Sequence, residues 1–269
     1  HVVLEDLSID GNFNLTSGIR ATAVSGLELS RIEIRETLWD GIRLDTLLPE
    51  LFEQIQDQFI PPLMTDLAIE QVSDPSLRDM QCWASGISGP TYFPGRVEHG
   101  MFIGVTSTVR RVRIRDAAFT GIGLFTGRDV SNPAFTFGNA STIEHVDIDR
   151  IGPNSYRGNP HAVGSAITFD MATRDAQLST FCTGPDTGRG VQFEYHGLCA
   201  MNDLGHCETS FHDWRTQDVT VSDGLIDAAA QVSRFNLNLC EEGQTGNEAY
   251  PLIDTQGSTG LVAGAHTEG

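Results

Sequence analysis

Asp40-Gly41-Ile42-Arg43-Leu44 repeats Ser17-Gly18-Ile19-Arg20-Ala21 at an offset of 23 residues (17 to 40), and an alternating strand precedes each copy. These strands are Leu7-Ser8-Ile9-Asp10 and Ile32-Glu33-Ile34-Arg35. The pairing returns as Val112-Arg113-Ile114-Arg115 ahead of Thr120-Gly121-Ile122-Gly123-Leu124, and as Val146-Asp147-Ile148-Asp149 ahead of Gly164-Ser165-Ala166-Ile167-Thr168-Phe169. It returns again as Val219-Thr220-Val221-Ser222 leading to Gly224-Leu225-Ile226, and Gly260-Leu261-Val262 reads as a partial last copy. Period-two alternation buries one face of each short strand. A glycine between strands permits the positive-φ corner that turns the chain onto its next face. One such unit cannot bury its apolar side alone, so coils of about 20–25 residues must stack into a continuous interior. A β-sandwich also has short strands and turns, but it has no reason to keep a Gly-apolar step at a constant place after each strand. The expected fold is all-β: a right-handed parallel β-helix, one solenoid domain over 1–269. Neither end reads as a cap, which fits a piece of a longer solenoid. The opening His1-Val2-Val3-Leu4 looks like the inside of a strand, the mark of a processed or trimmed start.

Four stretches interrupt the repeat: 45–97, 125–142, 152–163 and 170–218. In the first, Leu47, Leu48, Leu51, Phe52, Ile55 and Phe59 follow helical spacing, with Pro49 in the first turn and Pro61-Pro62 as the stop. A second helix is expected over Leu63–Val72, making the segment near 45–75 mainly helical. Cys82 to Val97 reads as loop, punctuated by Gly86, Gly89, Pro90, Pro94 and Gly95. Insertions in solenoids gather on one face and build the binding surface.

The formal net charge is −19, and all 17 basic residues are arginine. Such a surface repels phosphate backbones, so nucleic acid is not an expected partner. No apolar run is long enough to cross a bilayer, and membrane insertion is not expected. Three of the five cysteines, Cys182, Cys199 and Cys207, crowd into a turn-rich stretch and are disulfide candidates. Asn14-Leu15-Thr16 and Asn139-Ala140-Ser141 offer Asn14 and Asn139 as glycosylation candidates. Together these point to a secreted or cell-surface protein.

The strand–Gly–apolar coils resemble those of the pectin-lyase-like parallel β-helix superfamily. The resemblance lies in the repeat pattern and runs through most of the chain outside the interruptions. It implies a lateral face on which a long glycan is bound or cut. The superfamily also includes tailspikes and adhesins. The polygalacturonase-type set of Asn-Thr-Asp, Asp-Asp, Gly-His-Gly and Arg-Ile-Lys is absent, with only Glu98-His99-Gly100 resembling a fragment of it. The Asp-Pro-His motif of alginate epimerases is missing as well. No catalytic residue carries over from either.

Reactive side chains concentrate in 194–213, which holds Glu194, His196, Cys199, Asp203, His206, Cys207, Glu208, His212 and Asp213, with Trp214 adjacent. Three readings compete there: a disulfide-stapled polar loop, a metal site using the His and Cys residues, and a glycan site with Trp214 stacking on a sugar ring. Asp170, Arg174 and Asp175 open the same interruption. Glycoside hydrolysis needs two carboxyls, roughly 5–9.5 Å apart. Asp170 or Asp175 with Asp203 or Asp213 would supply the pair, His206 and His212 acid–base groups, and Arg174 and Trp214 sugar contacts. No cofactor is fixed by the sequence; Ca²⁺ neutralising a uronate is the candidate. Arg111, Arg113 and Arg115 occupy alternate positions of a strand, facing either a carboxylated sugar or Asp147 and Asp149 of the next coil. The expected function is action on a polysaccharide or surface glycan, as hydrolase or lyase. The alternative is a non-enzymatic structural or adhesive β-helix that self-assembles into an oligomer or filament.

Overall fold

The computed structural model describes residues 1–22, 24–45, 58–72, 99–117, 120–124, 139–151, 165–169, 173, 175–184, 189–193 and 218–227, and the short segments 200–201, 207–208, 235–236, 245–246, 253–254 and 262–268. In chain order the strands are β1 (Val2–Asp10), β2 (Ser17–Thr22), β3 (Leu27–Thr37), β4 (Asp40–Asp45), β5 (Leu63–Val72), β6 (His99–Ile103), β7 (Thr108–Ala117), β8 (Thr120–Leu124), β9 (Thr142–Asp149) and β10 (Ser165–Phe169). They continue as β11 (Gln177–Thr183), β12 (Arg189–Phe193), β13 (Ala200–Met201), β14 (Cys207–Glu208), β15 (Thr220–Asp227), β16 (Phe235–Asn236), β17 (Thr245–Gly246), β18 (Ile253–Asp254) and β19 (Val262–Glu268).

Eight strands, in the order β1-β3-β5-β7-β9-β11-β15-β19, make sheet A, and seven, β2-β4-β6-β8-β10-β12-β18, make sheet B. Pairing within both sheets is parallel, so through β12 each circuit of the chain lays one strand in each sheet and stacks it on the circuit before. This is the arrangement of a β-helix-like solenoid. Two antiparallel pairs, β13–β14 and β16–β17, stand outside the two sheets.

The strict register stacks like on like. In sheet A, Ile9, Ile34, Ile69, Ile114, Ile148, Thr183 and Ile226 form one column. In sheet B, Ile19, Ile42, Met101, Ile122, Ile167, Val191 and Ile253 form another. Ile34, Ile42, Ile69, Met101 and Ile114 are buried to within 1%. Burying one such side chain stabilises the fold by about 1.5–3 kcal/mol.

The glycine of each repeat does a different job from the one expected. Gly41 lies inside β4, and among the described residues the glycine with positive φ is Gly26 (φ 67°). A Cβ on Gly41 would sit 2.4 Å from Ile69 Cγ2 and 2.6 Å from the Gly100 carbonyl oxygen. The same contact recurs between Gly18 and Ile34 (2.4 Å), Gly100 and Ile114 (2.6 Å), Gly121 and Ile148 (2.7 Å), and Gly190 and Ile226 (2.7 Å). In these five strands glycine is therefore required because the strand lies against the isoleucine that the next circuit brings in on sheet A.

The corners are made by other residues. Asp6, Arg31, Asp66, Arg111, His145, Thr180 and Asp223 all have φ between 51° and 56°, and the register puts them in one column across sheet A. Glu36, Gln71, Asp116 and Arg150 repeat the conformation in a second column. Each left-handed residue inserts one extra position into the alternation. Buried side chains therefore fall at Leu29, Ile32, Ile34 and Thr37, and likewise at Met64, Leu67, Ile69 and Val72.

That spacing corrects the reading of Leu63–Val72. The segment is strand β5, not a helix: gaps of three, two and three imitate a helical stripe, but they arise from the corners at Asp66 and Gln71. The helix expected over 47–59 lies outside the described residues apart from its end, where Phe59 packs against the core. β11 and β12 fall inside 170–218, so part of that stretch is regular coil rather than interruption. Gly224 belongs to β15 of sheet A, opposite Phe181, and does not mark a Gly-apolar step of sheet B. Ala166 rather than Gly164 occupies the glycine column in β10.

The two sheets differ in exposure. Every residue of β8 and β10 is buried, so sheet B is closed on both faces there. Sheet A keeps an open outer face, with Arg31, Glu33, Arg35, Arg110, Arg111 and Arg113 exposed.

Gly41→Ala is expected to destabilise the fold by about 1–3 kcal/mol, the usual cost of overpacking. Denaturant unfolding checks this, and a change within about 0.5 kcal/mol would remove the close-approach argument.

Candidate functional site

The open outer face of sheet A is an extended polar surface, and its chemistry follows from the register. The first corner column alternates in charge: Asp6, Arg31, Asp66, Arg111. Arg31 Nε donates to Asp6 Oδ1 at 2.6 Å and its Nη2 to Glu5 at 2.6 Å. Arg111 grips Asp66 with two bonds, at 2.6 and 2.8 Å. The column that starts at Asp10 behaves alike, running Asp10, Arg35, Glu70, Arg115, Asp149. Arg35 bonds Asp10 at 2.7 Å, while Arg115 bonds Asp149 at 2.8 Å and Asp147 at 2.9 Å. Arg110 pairs with Glu144, and Arg150 holds Asp116 at 2.7 Å.

Of the two uses open to the arginines of β7, pairing with the next coil is met at Arg115. The three do not form one ridge: Arg111 sits on the corner, and Arg113 turns to Glu70 at 3.7 Å on the preceding coil.

The pairing sets the ionisation. The hydrogen bond from Arg31 holds the Asp6 carboxyl below its ordinary value, and Arg111 does the same to Asp66. Asp10 is lowered by Arg35 and by the backbone N–H of Asn12. On sheet B, partial burial of Asp45 opposes ionisation, but hydrogen bonds from Arg43, Arg20 and Thr22 outweigh it and the net shift is downward. Arg43 also stacks over Phe102, 4.3 Å from the ring centroid.

The face is not filled evenly. Ala68 stands between Glu33 and Arg113 in its column, and the short side chain leaves a shallow depression of about 350 Å³ rimmed by Arg31, Glu33, Asp66 and Arg113. Two guanidinium groups and two carboxylates from three successive coils thus border one opening. Guanidinium groups bind carboxylates and hydroxyl oxygens directionally. A general acid needs a raised carboxyl pKa. Every clear carboxyl shift among the described residues is downward, which suits binding and not proton donation.

Of the expected catalytic groups, Asp175 is described: it is exposed and sits at a corner with φ 56°. Asp170, Arg174, Asp203, His206, His212, Asp213 and Trp214 lie outside the described residues, as does Cys199. Cys207 is described only as part of β14, and Cys182 is half-buried on β11. Asn14 is exposed, on a turn where its Nδ2 donates to Asn12 O at 2.9 Å. Asn139 is 2% exposed, its Nδ2 donates to Ile103 O at 2.8 Å, and its Oδ1 accepts from Ser141. Among the described residues, no group of three or more His, Cys, Asp or Glu side chains is placed to hold a metal ion, and no helix is long and apolar enough to cross a membrane. Sequence reasoning missed the depression. Its signal was Ala68, a small residue in a column otherwise polar from Ser8 to Asp147.

No family model, curated protein or solved structure matches the chain.

Because Asp66 ionises more readily folded than unfolded, its pairing stabilises fully above the ordinary carboxyl value of 3.8 and is lost as pH falls through the lowered folded value. Wild type is expected to be more stable than Asp66→Asn at neutral pH, with the gap closing below about pH 4. Thermal unfolding of both proteins from pH 7 to pH 3 measures it. A gap that is absent at pH 7, or that widens in acid, contradicts the pairing.

Proposed function

We propose that the protein is a right-handed, pectin-lyase-like β-helix, secreted or held at a cell surface, that acts on polysaccharide. The observation that carries this reading is the open outer face of sheet A with its charged depression. Rim groups drawn from successive coils suit a long ligand lying across the coils, which meets a guanidinium or carboxylate group on each of the three coils. Arg31 and Arg113 would hold carboxylate or hydroxyl groups of such a chain, with Glu33 accepting from sugar hydroxyls. Proton transfer would come from the 170–218 stretch, with a carboxyl pair from Asp170, Asp175, Asp203 and Asp213, or with His206 or His212 as base. Ca²⁺ would serve a lyase by neutralising a uronate.

A second reading, a structural or adhesive β-helix, is favoured by one specific observation. The Arg–Asp pairs across sheet A hold coil to coil without any ligand.

The deciding experiment is product release from a panel of neutral and acidic polysaccharides, with and without chelator. Release from at least one acidic member is expected. Chelator-sensitive release with an unsaturated product identifies a lyase, and chelator-insensitive release of reducing ends a hydrolase. Binding without release moves the protein to the adhesive class.

A further inference from the structure

In the outward column of sheet A that runs Ser8, Glu33, Ala68, Arg113, an acid and a base are kept apart by an alanine. At Asp6–Arg31, Asp10–Arg35 and Asp66–Arg111 opposite charges stand on adjoining coils and bond directly. Glu33 and Arg113 are two coils apart, about 9.5 Å at the backbone for strands spaced about 4.8 Å. Ala68 lies between them in the depression of about 350 Å³. The other two rim groups are already committed. Arg31 gives its Nε and Nη2 to Asp6 and Glu5, and Asp66 accepts two bonds from Arg111. Glu33 is exposed and has no hydrogen bond or ion pair among the described residues. Arg113 is 54% exposed, and its contact with Glu70, at 3.7 Å, is too long for a hydrogen bond. One carboxylate and one guanidinium thus remain open to a ligand on opposite sides of one opening.

We propose that this depression binds a zwitterionic stretch of glycan, with an ammonium group held by Glu33 and a carboxylate held by Arg113 across Ala68. The inference rests on the polysaccharide reading and narrows it to glycans that carry free amino groups as well as carboxylates. Charge selects this class. A chain of carboxylates alone meets Glu33 and Asp66 at the rim, on a protein of net charge −19. A chain of amines alone brings like charge against Arg31 and Arg113. A ligand with both signs gives Glu33 and Arg113 each a charge-assisted hydrogen bond. The order of the coils also gives the ligand a direction, with its amine toward β3 and its carboxylate toward β7. Ala68 is part of the device, because a longer uncharged side chain there would occupy the opening without altering its charge.

The test uses the whole chain and three soluble glycans of matched length, titrated calorimetrically at a weakly acidic pH where amines are protonated. De-N-acetylated hyaluronan alternates amine and carboxylate, polygalacturonate has carboxylates alone, and chitosan has amines alone. The first is expected to bind at least about tenfold more tightly than either of the others. Glu33→Gln and Arg113→Gln should each weaken it at least about tenfold, and Ala68→Gln should do the same. Thermal unfolding establishes that the variants are folded, and if one is not, the three glycans against wild type still decide. Polygalacturonate binding as tightly as the zwitterion would make the depression an ordinary acidic-glycan subsite, which overturns the inference and leaves the polysaccharide reading intact. Chitosan binding most tightly, with no response to Arg113→Gln, would overturn it in favour of diffuse attraction to an acidic surface. Tight binding of the zwitterion that ignores all three substitutions would place the site elsewhere and overturn it as well. No binding by any of the three also overturns it, and product release from the wider polysaccharide panel then shows whether the polysaccharide reading falls with it.

Discussion

The contact between glycine on sheet B and isoleucine on sheet A governs the architecture. Gly18, Gly41, Gly100, Gly121 and Gly190 each leave a space that is filled by the isoleucine of the following sheet A strand, within 2.4–2.7 Å of where a Cβ would stand. Sheets that face each other through ordinary side chains lie about 10 Å apart. Here one backbone is bare, so side chains from the other sheet reach it. The contact ties each circuit to the next, because the isoleucine belongs to the coil after the glycine. The exception is coupled: where the isoleucine column has Thr183, the preceding sheet B strand has Ala166 in the glycine column. A smaller β-branched side chain on one sheet accompanies a Cβ on the other, as a shared volume requires.

The second constraint is the corner. A non-glycine residue held at positive φ costs about 1–2 kcal/mol, and sheet A repeats that cost in each strand from β1 to β15. Asp is among the residues that tolerate the left-handed region, but Arg31, Arg111, Thr180 and Arg150 are not specially suited to it. Their side chains project outward at the same height on successive coils. At Asp6–Arg31, Asp66–Arg111 and Asp116–Arg150 that geometry delivers bidentate pairs, and alternating sign keeps like charges apart. Exposed pairs are individually weak, so their main effect is on register: a one-coil mismatch sets Asp beside Asp and Arg beside Arg. A chain of net charge −19 can stack in this way because its arginines are placed in columns against its acids.

The repeat was legible because period two and the Gly-apolar step survive wherever coils are short. Leu63–Val72 was misread because the corner at Asp66 destroys the period that identifies a strand, and no local feature distinguishes a left-handed Asp from a helical one. The purpose of the glycines was hidden for a related reason. The partner of Gly41 is Ile69, and only three-dimensional register brings the two together. Arg115 with Asp147 and Asp149 could be anticipated, since alternate charges on neighbouring coils have few other places to go. The depression at Ala68 could not, because a small residue on a solvent-facing column means nothing until its neighbours Glu33 and Arg113 are known to flank it.

These constraints divide the labour of the molecule. Sheet B has no free face at β8 and β10, and its inward positions are committed to glycine and to the core. Sheet A gives its inward columns to apolar side chains, and outward most of the pairing lies in the corner columns and the column that starts at Asp10, with Arg110–Glu144 beside them. Between them runs the column Ser8, Glu33, Ala68, Arg113, Asp147, in which size and charge vary from coil to coil while Arg113 and Asp147 reach sideways to Glu70 and Arg115. A face that is free to vary at the centre and fixed at its borders can be fitted to a ligand while the fold stays the same. Any specificity the solenoid itself has would therefore be written in that central column, and the interruptions would add chemistry to a surface whose spacing the coils already set.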